Sequence, residues 1–254
     1  MAEYDAIGDR YSEAKRAPWR IHLEAYTVER LAGDVRGARV LDLACGDGFY
    51  TRRFKALGAA EVLGVDVSAE MIALARRAEA DAPLGCRYAV ADVNGLGALG
   101  AFDLVVAVYL LNYAQTADEL HQLCAATYAN LRPGGRLIGA NDYTADAVTG
   151  TRDFAGHGFH KRGPAAYVEG QPITYEFLLP EGRSFAITNY YWQPATYLQT
   201  LRDAGYRDPT WHPFELAPQG SSFPRGHWDD FLASGPCAAF AATRPAGGTR
   251  APTR

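Results

Sequence analysis

Val40-Leu41-Asp42-Leu43-Ala44-Cys45-Gly46-Asp47-Gly48-Phe49-Tyr50-Thr51 is the stretch on which the reading of this chain turns. A short apolar run, Val40 to Ala44, carries one acid and meets Gly46 and Gly48, and a helical pattern of Tyr50, Phe54 and Leu57 then runs to Gly58. The order is strand, glycine loop, helix. An acid inside a strand asks for a cationic partner. Two residues without side chains let a ligand approach the backbone closely, where the loop opens onto a helix N-terminus suited to an anion.

Outward from this stretch the unit repeats. Val62 to Val65 reads as a second strand, Ser68 as the cap of a helix with Met71, Ile72 and Leu74 on one face, and Arg87 to Val90 as a third strand. Leu104 to Val108 is apolar at every position, as a strand buried on both faces should be. A helix from about Asp118 to Leu131 follows, and Pro133-Gly134-Gly135 turns into a fifth strand, Arg136 to Ala140. This alternation predicts an α/β fold: a mostly parallel central sheet with helices on both faces. Before it, residues 1–35 form a helical preface, with Ile7, Tyr11, Ile21, Leu23, Tyr26, Val28 and Leu31 at helical spacing and Pro18 between two helices.

After strand five the pattern loosens. Gly156, Gly158, Gly163 and Pro164 break any long element between Tyr143 and Gln171, which reads as a loop-rich insertion forming part of a lid. Ile173 to Leu179 and Ser184 to Tyr191 alternate around Pro180-Glu181-Gly182, a hairpin expected to add antiparallel strands to the sheet. A helix from about Pro194 to Ala204 and strands near Tyr206 to Phe214 and Cys237 to Thr243 close a single domain over residues 1–244, with 143–192 as its substrate-side insertion and hairpin. Residues 245–254 read as a disordered tail.

Composition narrows the function. The 254 residues carry a net charge of −4 and no Lys/Arg block, so nucleic acid is not an expected partner. No apolar run approaches the ~20 residues of a membrane span, and the N-terminus is charged; a soluble, cytoplasmic protein, monomer or homodimer, with a small-molecule substrate is expected. Cys45, Cys86, Cys124 and Cys237 form no CxxC pair and read as reduced, buried thiols, and no metal is expected.

Asp66 ends the second strand, where a carboxylate can accept both hydroxyls of a ribose, and Asp92 follows the third, placed for an adenine amino group. Together with Asp42 they fall at the carboxyl ends of neighbouring strands, where open α/β sheets bind ligands. Alone, each acid is equally a cap or a turn residue. In this order, with Pro-Gly-Gly before strand five, the sequence from about Tyr4 to Ala140 resembles the class I S-adenosylmethionine-dependent methyltransferases, whose fold is Rossmann-like. The resemblance implies S-adenosylmethionine as cofactor and S-adenosylhomocysteine as product. It further implies that Asp42, Gly46 and Gly48 flank the methionine part, that Asp66 holds the ribose, that Met71 packs on adenine and that Asp92 with Val93 binds the adenine edge. Ala44, Phe49, Val67 and Ala107 are further expected cofactor contacts. Tyr4 to Tyr11 is similar to the N-terminal helix of small-molecule members, which places Tyr11 over the cofactor. The Tyr190-Tyr191-Trp192 hairpin end and Trp228-Asp229-Asp230-Phe231 are similar to toxoflavin-type methyltransferases of the ring nitrogens of azapteridines. A dinucleotide dehydrogenase is the structural rival, but the glycine loop lacks the third glycine of GxGxxG.

Methyl transfer is an in-line displacement in which the protein mainly aligns and desolvates. Tyr109, Asn112 and Tyr113, beyond strand four, are expected to border the transferred methyl. Asn112 is not followed by Pro-Pro, a departure from the methyltransferases of nucleic-acid bases. His157 or His160 is a candidate to deprotonate the acceptor, against the alternative of a structural histidine. Asn141, Asp142, Tyr175, Tyr191 and Trp192 are candidate substrate contacts. The aromatic concentration from Tyr167 to Trp192 suits a flat ligand, a nitrogen heterocycle or a phenol. N-methylation is preferred through the narrower resemblance, with O- and C-methylation, non-methyl chemistry on the cofactor, and a non-catalytic cofactor-binding subunit left open.

Overall fold

The computed structural model describes residues 8–143, 151–163 and 168–247, so that Tyr4 to Ile7, Tyr167 and the tail beyond 247 lie outside the described residues. Seven strands form the central sheet: β1 (Arg39–Leu43), β2 (Glu61–Asp66), β3 (Arg87–Val90), β4 (Phe102–Val108), β5 (Leu131–Asp142), β10 (Arg207–Pro213) and β11 (Cys237–Thr243), in the order β10-β11-β5-β4-β1-β2-β3. The first five are parallel to one another. β11 runs antiparallel between β5 and β10, from Cys237 opposite Asp142 to Thr243 opposite Arg136. Helices α2 (Tyr26–Ala32) and α3 (Phe49–Ala56) pack on one face, and α5 (Ala117–Ala129) and α6 (Pro194–Asp203) on the other. Both faces of β4 are thereby buried, which is why its sequence shows no alternation.

Helix α4 (Ala69–Asp81) starts where the Ser68 hydroxyl accepts the Met71 N–H at 3.2 Å. Thr116 caps α5 in the same way, through the N–H of Glu119. The helical preface divides at Pro18, as expected, into α1 (Gly8–Ala14) and a π-helical turn, Arg20–Ala25, that continues as α2. Its buried face is Arg20, Leu23, Glu24, Thr27 and Val28, a helical stripe that includes two charged residues. Their side chains pair at 3.1 Å with at most 2% exposure, so this face buries an ion pair among its apolar neighbours.

Two expectations change. The region 143–171 is more than a loop, because β6 (Thr151–Phe154) and β7 (Phe159–Arg162) lie within it. The hairpin of β8 (Pro172–Leu178) and β9 (Ser184–Tyr190) does not join the central sheet but pairs with them in a separate antiparallel sheet, β6-β7-β8-β9. The antiparallel strand that the central sheet does gain beside β5 is β11, which pairs with it from Arg136 to Asp142. The short helix α7 (Asp229–Ser234) leads into β11. The small sheet turns Phe159, Ile173, Tyr175, Phe177, Phe185 and Ile187 inward onto the core that also holds Trp19 and Tyr11, a strict alternation along β8 and β9.

Candidate functional site

A cavity of about 300 Å3 opens at the carboxyl ends of β1, β2, β3 and β4. Its wall along the glycine loop is Ala44 and Gly46, both left-handed at φ 57°, a conformation that costs little at glycine and more at alanine. Tyr109, directly after β4, is also left-handed at φ 57°, and this swings its ring back across the opening. Its hydroxyl donates to Glu24 at 2.6 Å, and the Tyr50 hydroxyl donates to the other oxygen of Glu24 at 2.9 Å. Strain at Tyr109 is thus held by a buried carboxylate that Arg20 neutralises.

Asp66 sits on the cavity at 7% exposure, its oxygens accepting the backbone N–H of Gly46 at 2.8 Å and of Ser68 at 2.9 Å. Burial raises its pKa, and the two N–H groups oppose that rise. Val67, Met71, Asp92 and Val93 continue the lining. Met71 and Val93 are buried, while exposed Asp92 accepts the Asn94 N–H at 2.8 Å, which fixes the turn after β3. Tyr11 and Tyr113 close the side toward α1 and α5.

Asp42 lies behind this lining, 2% exposed, and accepts the Thr51 hydroxyl at 2.6 Å. Burial pushes its pKa up to about 7, against the opposing pull of Thr51 and of the Lys15 ammonium. Lys15 was not anticipated. It is 6% exposed, lines the cavity, and rests its ammonium 5.2 Å from the Tyr11 ring, one helical turn earlier. It faces Asp42 and Asp66 electrostatically and makes no ion pair with either. Asn94, Val108, Leu110, Gln115 and Leu123 also line the cavity without having been singled out.

Other expected contacts stand away from it. Ala107 points into the core under α5, since adjacent strand residues face opposite ways and Val108 takes the cavity side. Phe49 packs edge-on against Tyr50 at 5.0 Å, and Gly48 (φ 84°) serves close packing, because a Cβ there would meet the Tyr88 hydroxyl at 2.5 Å. Asn112 and Asn141 are fully buried, with no partner for either carboxamide among the described residues, and neither borders the cavity. Asp142 pairs with Lys161 and accepts the Tyr175 hydroxyl in a buried cluster. Trp192 donates its indole N–H to the Ala114 carbonyl at 2.9 Å, and Tyr191 packs in the core. His157 is bound to Asp230 at 2.9 Å and stacked on Trp228, and His160 lies 3.1 Å from Asp153. Both histidines are therefore engaged away from the cavity.

Through Tyr11 and Tyr109 the cavity adjoins a second, narrow cleft lined by Trp19, Arg20, Tyr175, Phe177, Ile187, Asn189 and Cys237. A carboxylate beside backbone amides, a second acid, an apolar floor and a buried ammonium suit an adenosyl amino acid: diol on Asp66, adenine over Met71 and Val93, carboxylate toward Lys15.

The fold is that of solved S-adenosylmethionine-dependent methyltransferases. Residues 40–135, which carry the glycine loop and the strand-end acids, match the family described as a methyltransferase domain. A ubiquinone biosynthesis O-methyltransferase from Xanthomonas oryzae is 33% identical over 115 residues, 44% of this chain and 46% of the relative. The chain thus spans about half the length of the curated relatives it matches. A solved S-adenosylmethionine-dependent methyltransferase from Mesorhizobium loti is 25% identical, with a TM-score of 0.66 over 87% of this chain and 97% of the other. CalS10 from Micromonospora echinaspora, an amino pentose methyltransferase of calicheamicin biosynthesis solved with S-adenosylmethionine bound, has the same fold at 21% identity, a TM-score of 0.62 and coverage of 93% and 95%. Among the described residues no helix is long and apolar enough to cross a membrane.

Proposed function

We propose that this chain transfers the methyl group of S-adenosylmethionine to a small, planar metabolite, with a ring nitrogen as the preferred acceptor atom. The observation that carries the reading is the junction of two spaces at Tyr11 and Tyr109: a cavity with a strand-end carboxylate and buried ammonium on one side, an aromatic cleft on the other. When bound, S-adenosylmethionine supplies an electrophilic methyl on a sulfonium. Asp66 accepts the ribose hydroxyls, Asp92 and the Val93 backbone meet the adenine edge, and Lys15 takes the amino-acid carboxylate.

Tyr11 and Tyr109 hold the boundary between the two spaces, Tyr109 by its bond to Glu24, and Tyr113 lines the cofactor side of it. Rings on that boundary exclude water and offer π faces to a cation. The position of Tyr113 makes it the residue of the four proposed catalytic ones, Asn112, Tyr113, His157 and His160, that can act directly. A nitrogen acceptor with a free lone pair needs no base in the transfer step, in keeping with histidines engaged elsewhere. The preference for nitrogen rests on the likeness of the Tyr190-Tyr191-Trp192 hairpin to azapteridine methyltransferases. The O-methyltransferases among the relatives favour oxygen as a second reading. A place in secondary metabolism fits the work of CalS10, and a cytoplasmic site fits the cofactor.

The deciding experiment supplies S-adenosylmethionine with a labelled methyl to paired heterocyclic and phenolic acceptors, and fragments the products by mass spectrometry. Label on a ring nitrogen supports the reading, label on oxygen selects the second, and cofactor binding without any transfer removes both.

A further inference from the structure

The narrow cleft behind Tyr11 and Tyr109 is walled by Trp19, Tyr109, Tyr175, Phe177 and Ile187, and two polar groups interrupt that wall. Asn189 is the first. Every other inward position of β8 and β9 is apolar or aromatic, yet Asn189, opposite Ile173, is 3% exposed with an Oδ1 that accepts no hydrogen bond among the described residues. Arg20 is the second. Its guanidinium lies 4.5 Å from the Trp19 ring, 5.2 Å from Tyr109 and 5.5 Å from Phe177. Nη1 donates to Glu24, while the buried Nε–H has no acceptor among the described residues. Buried polar atoms are ordinarily satisfied, so an unfilled acceptor and an unfilled donor in one aromatic cleft form a pattern that asks for a complement.

The charges of the cleft are already balanced. Arg20 is neutralised by Glu24, and Lys161, which lies over the Tyr175 ring, by Asp142. An anionic acceptor would bring an uncompensated charge into a site that excludes water, and a purely apolar one would leave both hydrogen-bonding atoms unfilled. We propose that this cleft selects a neutral planar ring bearing one N–H or O–H donor for Asn189 Oδ1 and one carbonyl or ring-nitrogen acceptor for Arg20 Nε. Lactams and enol-amides have this pattern. The inference rests on the methyl-transfer reading and names the acceptor class within it. Free space in the cleft is about 10 Å3, so a bound ring requires its aromatic walls to move apart.

The test uses the full chain loaded with S-adenosylhomocysteine and three probes: 2-pyridone, with adjacent N–H and C=O; benzoate, an anionic ring; and toluene, with no polar group. Ligand-observed NMR with calorimetry should show 2-pyridone binding at least about tenfold more tightly than the others. Asn189→Leu should cost 2-pyridone about tenfold while leaving S-adenosylhomocysteine affinity unchanged. Should that variant fail to fold, Asn189→Thr serves the same comparison. Equal binding of the three probes, an unaltered 2-pyridone affinity in the variant, no 2-pyridone binding, or a single water bridging Arg20 and Asn189 while the probe binds elsewhere each overturns the inference and leaves methyl transfer standing. Failure of S-adenosylhomocysteine itself to bind removes the functional reading, and this inference with it.

Discussion

Asp66→Ala is the substitution whose consequences the geometry specifies most closely. The carboxylate already accepts two backbone N–H groups, Gly46 at 2.8 Å and Ser68 at 2.9 Å, and each oxygen keeps a lone pair facing the cavity. Alanine therefore removes two prospective bonds to a ribose diol, about 1.5 to 3 kcal/mol each for a charged acceptor, or roughly two to four orders of magnitude in affinity. It also leaves the two loop amides without their acceptor, at a cost of about 1 to 3 kcal/mol each if water does not replace it. That cost is offset because the buried carboxylate is itself disfavoured, as its raised pKa records. Calorimetry with S-adenosylhomocysteine, whose sulfur is neutral, isolates the ribose from the sulfonium. Asp66→Asn, which keeps one acceptor oxygen, should lose about half of the binding free energy that alanine loses. Affinity within a factor of two of wild type for Asp66→Ala, in a protein shown to be folded by its melting curve, would refute the ribose assignment.

Acidity supplies a second prediction. The folded-state pKa of Asp42, about 7, lies above the ordinary carboxylate value of 3.8, so the folded protein holds a proton that the unfolded chain has released. The ligand-free protein should therefore lose stability as pH rises from about 4 to about 7 and level off above, while affinity for the cationic S-adenosylmethionine grows through the upper part of that window. Asp42→Asn should flatten both curves in melting and binding titrations, and unchanged slopes would reject the assignment. Lys15→Met should weaken S-adenosylhomocysteine by about tenfold or more through the carboxylate, and leave folding intact because the methionine keeps the packing on Tyr11 and Lys15 forms no ion pair among the described residues. Glu24→Gln strands the Arg20 charge and should destabilise by about 3 to 5 kcal/mol in denaturant titration, whereas Arg20→Met with Glu24→Gln, which removes the charge and keeps an oxygen acceptor beside the Tyr50 and Tyr109 hydroxyls, should recover most of the loss.

The parallel half of the fold was legible because β1 to β5 are short apolar runs punctuated by glycine and capping residues, so both the elements and their order could be read. The same burial on both faces hid the orientation of each strand. With no alternation in Leu104 to Val108, nothing distinguished Ala107, which faces α5, from Val108, which faces the cavity. β6 and β7 were illegible because they are four residues each, set among glycines, and are strands only through pairing with each other and, for β7, with β8. Arg20, Glu24 and Lys15 escaped notice because charged side chains in a helix are ordinarily solvated, and only tertiary packing drew these three inward. Asp66, Met71, Asp92 and Val93 were found by their place after strands, a signal that survives any detail of packing.

The insertion of β11 between β5 and β10 has a cost in the order of assembly. Because β11 is made after β10 yet separates it from the rest of the sheet, β10 has no seat until the later strand arrives. A ribosome that has produced everything up to Pro236 therefore carries a half-built sheet with the margin of β5 bare, a surface prone to pairing with the wrong chain. Premature termination there should yield aggregates instead of a smaller active enzyme.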